Sequence, residues 1–222
     1  IKGYLTKELY KQFYLSKTEK ALTERGDIYI HDMRDMILGS VNCCLLDVAS
    51  ILKGGFEMSN VEYTEPKSVH SALQVIGDIT LVASAQQFGG LTIAELDKVL
   101  LPYVKKTWAR AYEKYKETCG LPEEAAKKMA RAETIRELEQ GFQSLELKLN
   151  TVTSSRGDIA FTTVSFGQWD PKLPEEEKEW LYEIDRIILT TRRNGHGARR
   201  RPVIFPKLVY LYDERQIKED KW

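Results

Sequence analysis

Short runs rich in β-branched and aromatic residues, at 28–31, 41–48, 159–166 and 203–212, are separated by much longer stretches with helical spacing. Strands that alternate with helices pair in parallel, so the pattern predicts an α/β chain built on a parallel sheet. Three or four such strands are too few to close a parallel barrel. The sheet is therefore either open or an incomplete portion of a barrel.

The intervening stretches carry their own signals. Leu5, Leu9, Phe13 and Leu22, set among lysines and glutamates, read as an amphipathic helical lead-in over 4–24, with helical spacing at least through its first dozen residues, that Gly26 ends. Gly54-Gly55 and Ser59-Asn60 mark turns, and Pro66 precedes a helix over 68–87 whose near lack of charge predicts burial. Thr92 with Glu95 three residues on makes a capping-box pattern, which predicts a helix from there to Cys119 with Gly120 as its stop. Pro122 opens a third long helix over 122–150. In it Ile135, Leu138, Phe142, Leu145 and Leu149 form a narrow apolar seam that packs on another helix, either within the subunit or across a dimer. Pro174, with three glutamates after it, opens a helix that Gly195-His196-Gly197 ends, and Pro206 places the last strand at an edge or a bulge.

Composition narrows the function classes. Lysine plus arginine, 33, equals aspartate plus glutamate, 33, so no global field draws the chain to nucleic acid or an anionic membrane. Cysteines at 43, 44 and 119 make neither a disulfide framework nor a CxxC metal spacing, which suits a reducing cytoplasm. No stretch approaches the roughly 18–20 apolar residues of a membrane helix, and the start lacks a signal-peptide pattern, so a soluble cytoplasmic protein is expected. The opening at Ile1 without methionine, and the charged run before Trp222, lead to the expectation of a piece of a longer polypeptide. A phosphate-loop motif, a dinucleotide fingerprint and a HExxH zinc motif are all missing.

Within 26–47 the chain sets two apolar runs close together and supplies a histidine and a thiol pair. On a strand, adjacent Cys43 and Cys44 point in opposite directions, so one of them at most serves a given pocket. On the residues alone both also read as small buried hydrophobes. His31 either lines the same pocket as a hydrogen-bond donor or is bonded within its own turn, and Asn42, by alternation, points away from the pocket unless the strand is bulged. Gly89-Gly90 lets the backbone approach a ligand, with amides ahead of Thr92 suited to phosphate, or is simply a helix break. Arg156 in the polar loop 154–158 either reads a nucleotide or is solvated, and Arg199-Arg200-Arg201 is either a phosphate contact or a charged surface.

A collinear set of motifs resembles one family. GDIYIHD at 26–32, NCCLLD at 42–47, GGFEMSN at 54–60 and EPKS at 65–68 are followed by QQFGGLTI at 86–93 and FQSLELKLNT at 142–151. GDIAFTTVSFG at 157–167 and VIFPKLVY at 203–210 complete the series. Together they resemble the anaerobic, oxygen-sensitive ribonucleoside-triphosphate reductases, which are glycyl-radical enzymes. The resemblance implies an α/β fold that is the first half of a ten-stranded α/β barrel of the ribonucleotide reductase type, with long dimer-type helices. Residues 1–222 then form a partial catalytic barrel domain, without the ATP-binding regulatory domain, the thiyl-radical cysteine, the zinc site or the glycyl-radical segment.

The same resemblance implies the chemistry. Cys43 matches the first-strand cysteine that faces the substrate and takes part in reducing the ribose 2′-carbon, and His31 matches the histidine of the HD motif, directed toward formate as reductant. Substrate or effector contacts fall on Asn42, Gly89, Gly90, Thr92, Asn150, Ser155 and Arg156. The whole enzyme converts ribonucleoside triphosphates to deoxyribonucleoside triphosphates as a homodimer, responds to nucleoside triphosphate effectors, and is activated by a radical-SAM partner. Its glycyl radical and structural zinc belong outside this stretch, so the isolated chain is expected to be inactive. The rival reading is a non-catalytic nucleotide-binding or regulatory protein that has kept the helices and loops but not the chemistry.

Overall fold

In the computed structural model, which describes residues 2–37, 42–87, 89–153, 159–168 and 170–214, a sheet of four short strands organises the chain. They are β1 (Cys44–Leu46), β4 (Leu91–Ile93), β5 (Thr162–Phe166) and β6 (Lys207–Tyr210), in the order β1-β4-β5-β6 and all parallel. A separate antiparallel hairpin, β2 (Phe56–Met58) and β3 (Val61–Tyr63), turns at Ser59-Asn60. The helices are α1 (Lys2–Phe13), α2 (Lys17–Arg25), α3 (Met33–Met36), α4 (Val48–Gly54), α5 (Val69–Gln86), α6 (Leu96–Glu113), α7 (Glu123–Thr151) and α8 (Glu175–Asn194). The predicted α/β class with parallel pairing is what the chain adopts.

Each long helix starts and stops for a local reason. Ser68 caps α5 through the Ser71 amide, and α6 runs into a π-helical turn over Lys114–Thr118 before Gly120 stops it with φ +64°. Pro122 and Pro174 precede α7 and α8, each with glutamates in its first turn, where the helix dipole favours negative charge. The seam of α7 is consumed within the chain. Leu138, Phe142, Leu145 and Leu149 are at most 1% exposed, in one core with Leu73 and Ile76 of α5, Leu100 and Val104 of α6, and Ile184 and Ile188 of α8.

That core lies on one side of the sheet. Leu91, Ile93, Thr162, Val164 and Phe166 are buried there, and Cys44, Leu46, Leu208 and Tyr210 pack toward it. Side chains pointing the other way are only partly covered or exposed: Leu45, Thr92, Thr163, Ser165, Lys207 and Val209. Parallel sheets are normally covered on both faces. The described residues cover one.

Several expectations are corrected. The run at 28–31 is no strand, because the chain folds back on α2 instead, the amides of Asp27 and Ile28 both reaching the carbonyl of Leu22. The predicted strand 41–48 contracts to β1, since Asp47 accepts from the Ser50 amide at 3.1 Å and starts α4. The lead-in is two helices, because Ser16 and Glu19 form a reciprocal capping box that begins α2. Thr92 starts no helix. It lies on β4 between Leu45 and Thr163, and Glu95 precedes α6 in a left-handed conformation (φ 50°) without capping it through its side chain. Tertiary pairing of the Leu91-Thr92-Ile93 triplet overrides the local capping signal. Pro206 immediately precedes β6, which is an edge strand as expected.

Candidate active site

Cys43 sits just before β1 and is exposed, whereas Cys44 packs against the core, so the two thiols do part to opposite sides. The Cys43 Sγ accepts the Gly90 N–H at 3.4 Å and donates to Asn42 Oδ1 at 3.4 Å. Asn42 Nδ2 in turn donates to Asp32 Oδ2 at 3.2 Å, and the same carboxylate oxygen meets His31 Nδ1. His31, Asp32, Asn42, Cys43 and Gly90 thus form one connected string, with the thiol at one end and a largely exposed imidazole at the other.

Local backbone explains how the string assembles. Asp32 has φ 56°, a left-handed conformation that aspartate tolerates better than most residues, and this turn sets its carboxylate toward Asn42. A Cβ at Gly89 would collide with the carbonyl and amide oxygens of Asn42. Glycine there permits the backbone approach that fixes Asn42 against the 89–90 segment. Alternation, which would turn Asn42 away from the pocket, does not apply to it, because β1 begins only at Cys44, and its Oδ1 meets the Cys43 thiol.

Gly90 also leaves a notch. The register places Cys43, Gly90 and Phe161 two residues before Leu45, Thr92 and Thr163, and a Cβ at Gly90 would lie 3.0 Å from the Phe161 ring. Phe161 stands 5.1 Å from the Phe205 ring, and Lys207 Nζ lies 4.2 Å from the Phe161 centroid. A thiol, a side-chain-free floor and an aromatic wall backed by a cation therefore share the open face.

Asn150 has a different position. Its Oδ1 accepts the amides of Ile204 and Phe205 at 3.3 and 3.2 Å, and its Nδ2 donates to the carbonyls of Phe205 and Glu146 at 2.6 Å each. The side chain secures the approach to β6. Beside it the fully buried Glu146 receives Arg192 Nε and meets His196 Nε2, both at 2.6 Å, while Arg192 also donates to the Pro206 carbonyl at 2.6 Å. Arg199, Arg200 and Arg201 are exposed in the turn after α8, and Ser155 and Arg156 lie outside the described residues.

The opposite end of the sheet is differently equipped. A cleft of about 440 Å³ at the C-terminal ends of β1 and β4 is lined by Leu46, Asp47, Ala94, Glu95 and Lys98. Behind the end of β5, Asp97 and Asp185 are 1% and 2% exposed. Burial pushes both carboxyls up, Asp185 to about 9 with the neighbouring Asp97 adding to the shift. Among the described residues no group of three or more histidine, cysteine, aspartate or glutamate side chains is disposed to hold a metal.

The family model for anaerobic ribonucleoside-triphosphate reductase matches residues 1–222. The chain belongs to the anaerobic ribonucleoside-triphosphate reductase family. The reductase of Enterobacteria phage T4 is 34% identical over 216 residues, covering 96% of this chain and 33% of that protein. The Escherichia coli K12 reductase is 33% identical over 212 residues, 94% of this chain and 28% of that protein. The chain thus spans about a third of the length of these relatives. In fold it is similar to the Thermotoga maritima anaerobic ribonucleotide reductase with dATP in the specificity site, with a TM-score of 0.60, 17% identity, and coverage of 94% of this chain and 35% of that one. The same enzyme with dATP and CTP gives a TM-score of 0.54 at 16% identity, covering 86% and 31%.

Sequence reasoning alone named His31 but not Asp32, although the two are adjacent, and it is Asp32 that joins the histidine to Asn42. Phe161 was also missed. Alternation along 159–166 was the available signal, since it places Phe161, Thr163 and Ser165 on one face.

Proposed function

We propose that this chain is the portion of the catalytic barrel of an anaerobic ribonucleoside-triphosphate reductase that presents the substrate-facing thiol. The single observation that supports it most is the position of Cys43, exposed beside the Gly90 notch while its neighbour Cys44 turns to the core. The reaction replaces the ribose 2′-hydroxyl by hydrogen. The 3′-hydrogen is abstracted by a thiyl radical on a cysteine outside this chain, and the 2′-hydroxyl then leaves as water. Cys43 supplies hydrogen at C2′, and formate, oxidised to carbon dioxide, provides the two electrons.

The string of side chains gives each residue a task. Gly90 N–H and Asn42 hold the sulfur in one orientation, and Asp32 orients Asn42 and the imidazole. His31, exposed and on the far side of Asp32, can receive a small carboxylate such as formate when protonated. Gly89 and Gly90 set the floor and Thr92 the adjacent strand position. Asn150 acts from behind by fixing the segment that leads to β6. The loop with Ser155 and Arg156 is the remaining candidate for effector contact. The structural zinc that such an enzyme carries is not matched by a donor set among the described residues. Nucleoside triphosphate effectors, a homodimer, a radical-SAM activating partner and a cytoplasmic location complete this reading. Among the described residues no helix is long and apolar enough to cross a membrane.

The test is Cys43→Ser in a full-length reductase containing residues 1–222. Deoxynucleotide formation should fall by at least a thousandfold while nucleotide affinity is kept. Unchanged product formation, or a complete wild-type protein that binds nucleotides and never reduces them, would favour the non-catalytic alternative.

A further inference from the structure

The two faces of the sheet differ in chemistry as well as in cover. The helix-covered face is apolar at Leu46, Leu91, Ile93, Val164 and Phe166, and the hydroxyl of Thr162 on it is bonded to the Ala160 carbonyl at 3.2 Å. On the open face Leu45, Thr92, Thr163 and Lys207 lie side by side in register across all four strands. Thr92 and Thr163 are neighbours there, and neither hydroxyl has a hydrogen-bond partner among the described residues. Ser165, two residues on, accepts the Glu95 amide at 3.0 Å.

An apolar layer laid on this face would desolvate the two threonine hydroxyls without pairing them, which is unfavourable. An aqueous or polyhydroxylated occupant satisfies them. Adjacent strands run about 4.8 Å apart and successive same-face residues about 6.6 Å. The pair therefore stands one step along the strands from the row that holds Cys43, the Gly90 notch and Phe161. A few placed polar groups within an apolar rim, here Leu45, Phe161 and Val209, are the usual composition of a small-molecule site.

We infer that Thr92 and Thr163 are substrate-binding residues whose hydroxyls hydrogen-bond the vicinal sugar hydroxyls of a ribonucleoside triphosphate lying over the Gly90 notch. The inference rests on the proposed role of Cys43 at that notch. Lys207, on the same row and beside the Phe161 ring, supplies the cationic edge that an anionic ligand requires. The resemblance names Thr92 as a substrate or effector contact, and the capping-box pattern would have occupied its hydroxyl at a helix start. Its hydroxyl is released for a ligand because the residue is in a strand.

The experiment uses Thr92→Val, Thr163→Val and the corresponding serine variants in a full-length reductase containing residues 1–222, with Cys43→Ser alongside. Valine keeps the shape and strand preference of threonine and removes the hydroxyl. Each valine variant should weaken ribonucleoside triphosphate affinity roughly fivefold, raise KM with little change in kcat, and narrow the gap between that ligand and its 2′-deoxy counterpart. The serine variants should bind close to wild type. Valine variants with unchanged affinity and unchanged ribo-to-deoxy discrimination overturn the inference. So do serine variants as weak as valine, which would mean that the methyl group packs and the hydroxyl is idle. Turnover that survives in Cys43→Ser fails the underlying reading instead, whatever the threonines do.

Discussion

Asp185 shows how far a single residue can depart from its reference chemistry. Its carboxyl is held near 9 by burial and by Asp97, so between about pH 4 and pH 9 the folded chain keeps a proton that the unfolded chain has released. Stability from this group is therefore fully present below the unfolded value and is lost progressively as pH rises toward 9. Asp185→Asn substitutes a side chain that is neutral at every pH. It should raise stability at pH 8 by on the order of 2 kcal/mol and flatten the pH dependence. Urea denaturation of both proteins at pH 5 and pH 8 measures this. A variant destabilised equally at the two values would mean that the carboxyl is ionised and satisfied. Adjacent Cys43 and Cys44 make the complementary point, since one step along the chain separates an exposed thiol from one packed on the core.

At the level of elements, a buried carboxylate ties α7 to α8 and to the approach of β6. Glu146 is fully buried and meets Arg192 and His196, while Arg192 and Asn150 hold the backbone at 204–206. Glu146→Ala leaves a mostly buried guanidinium without its counterion, and breaking such a pair typically costs about 3 kcal/mol or more. Glu146→Gln retains one acceptor oxygen and the side-chain shape and should cost less. A surface pair such as Lys127–Glu123, 2.7 Å apart on α7, should contribute far less, because solvent screens it. Chemical denaturation of the three variants gives the order, and a Glu146→Ala loss no larger than that of Glu123→Ala would show that the network is dispensable.

On the scale of the whole molecule, the consequential feature is a parallel sheet covered on one side. Leu45, Phe161 and Val209 are 70%, 48% and 44% exposed on the other. As an isolated 222-residue chain the protein should bind a hydrophobic dye, and Leu45→Lys with Val209→Lys should reduce that signal severalfold without loss of helix content by circular dichroism. Dye binding unaffected by the pair would locate the exposed apolar surface elsewhere, for instance at Tyr4 and Phe13 of α1 and the adjacent Tyr14.

Much of this architecture is written locally. Ser68, Gly120, Pro122, Pro174 and Gly195 mark the ends of α5, α6, α7 and α8 because caps, prolines and left-handed glycines act on their immediate neighbours. The seam of α7 follows from helical periodicity alone. The strands are another matter, being three to five residues long, too short for periodicity to fix their limits. Whether Thr92 caps a helix or pairs in a sheet depends on Leu45 and Thr163, which lie far from it in the chain. Asp97 with Asp185, and Glu146 with Arg192 and His196, are likewise brought together only by packing. Short-range stereochemistry determined the helices and the family motifs. The sheet register, the buried charges and the face on which Cys43 opens were decided by the tertiary structure, because long-range burial and pairing outweigh the small free energies of local preference.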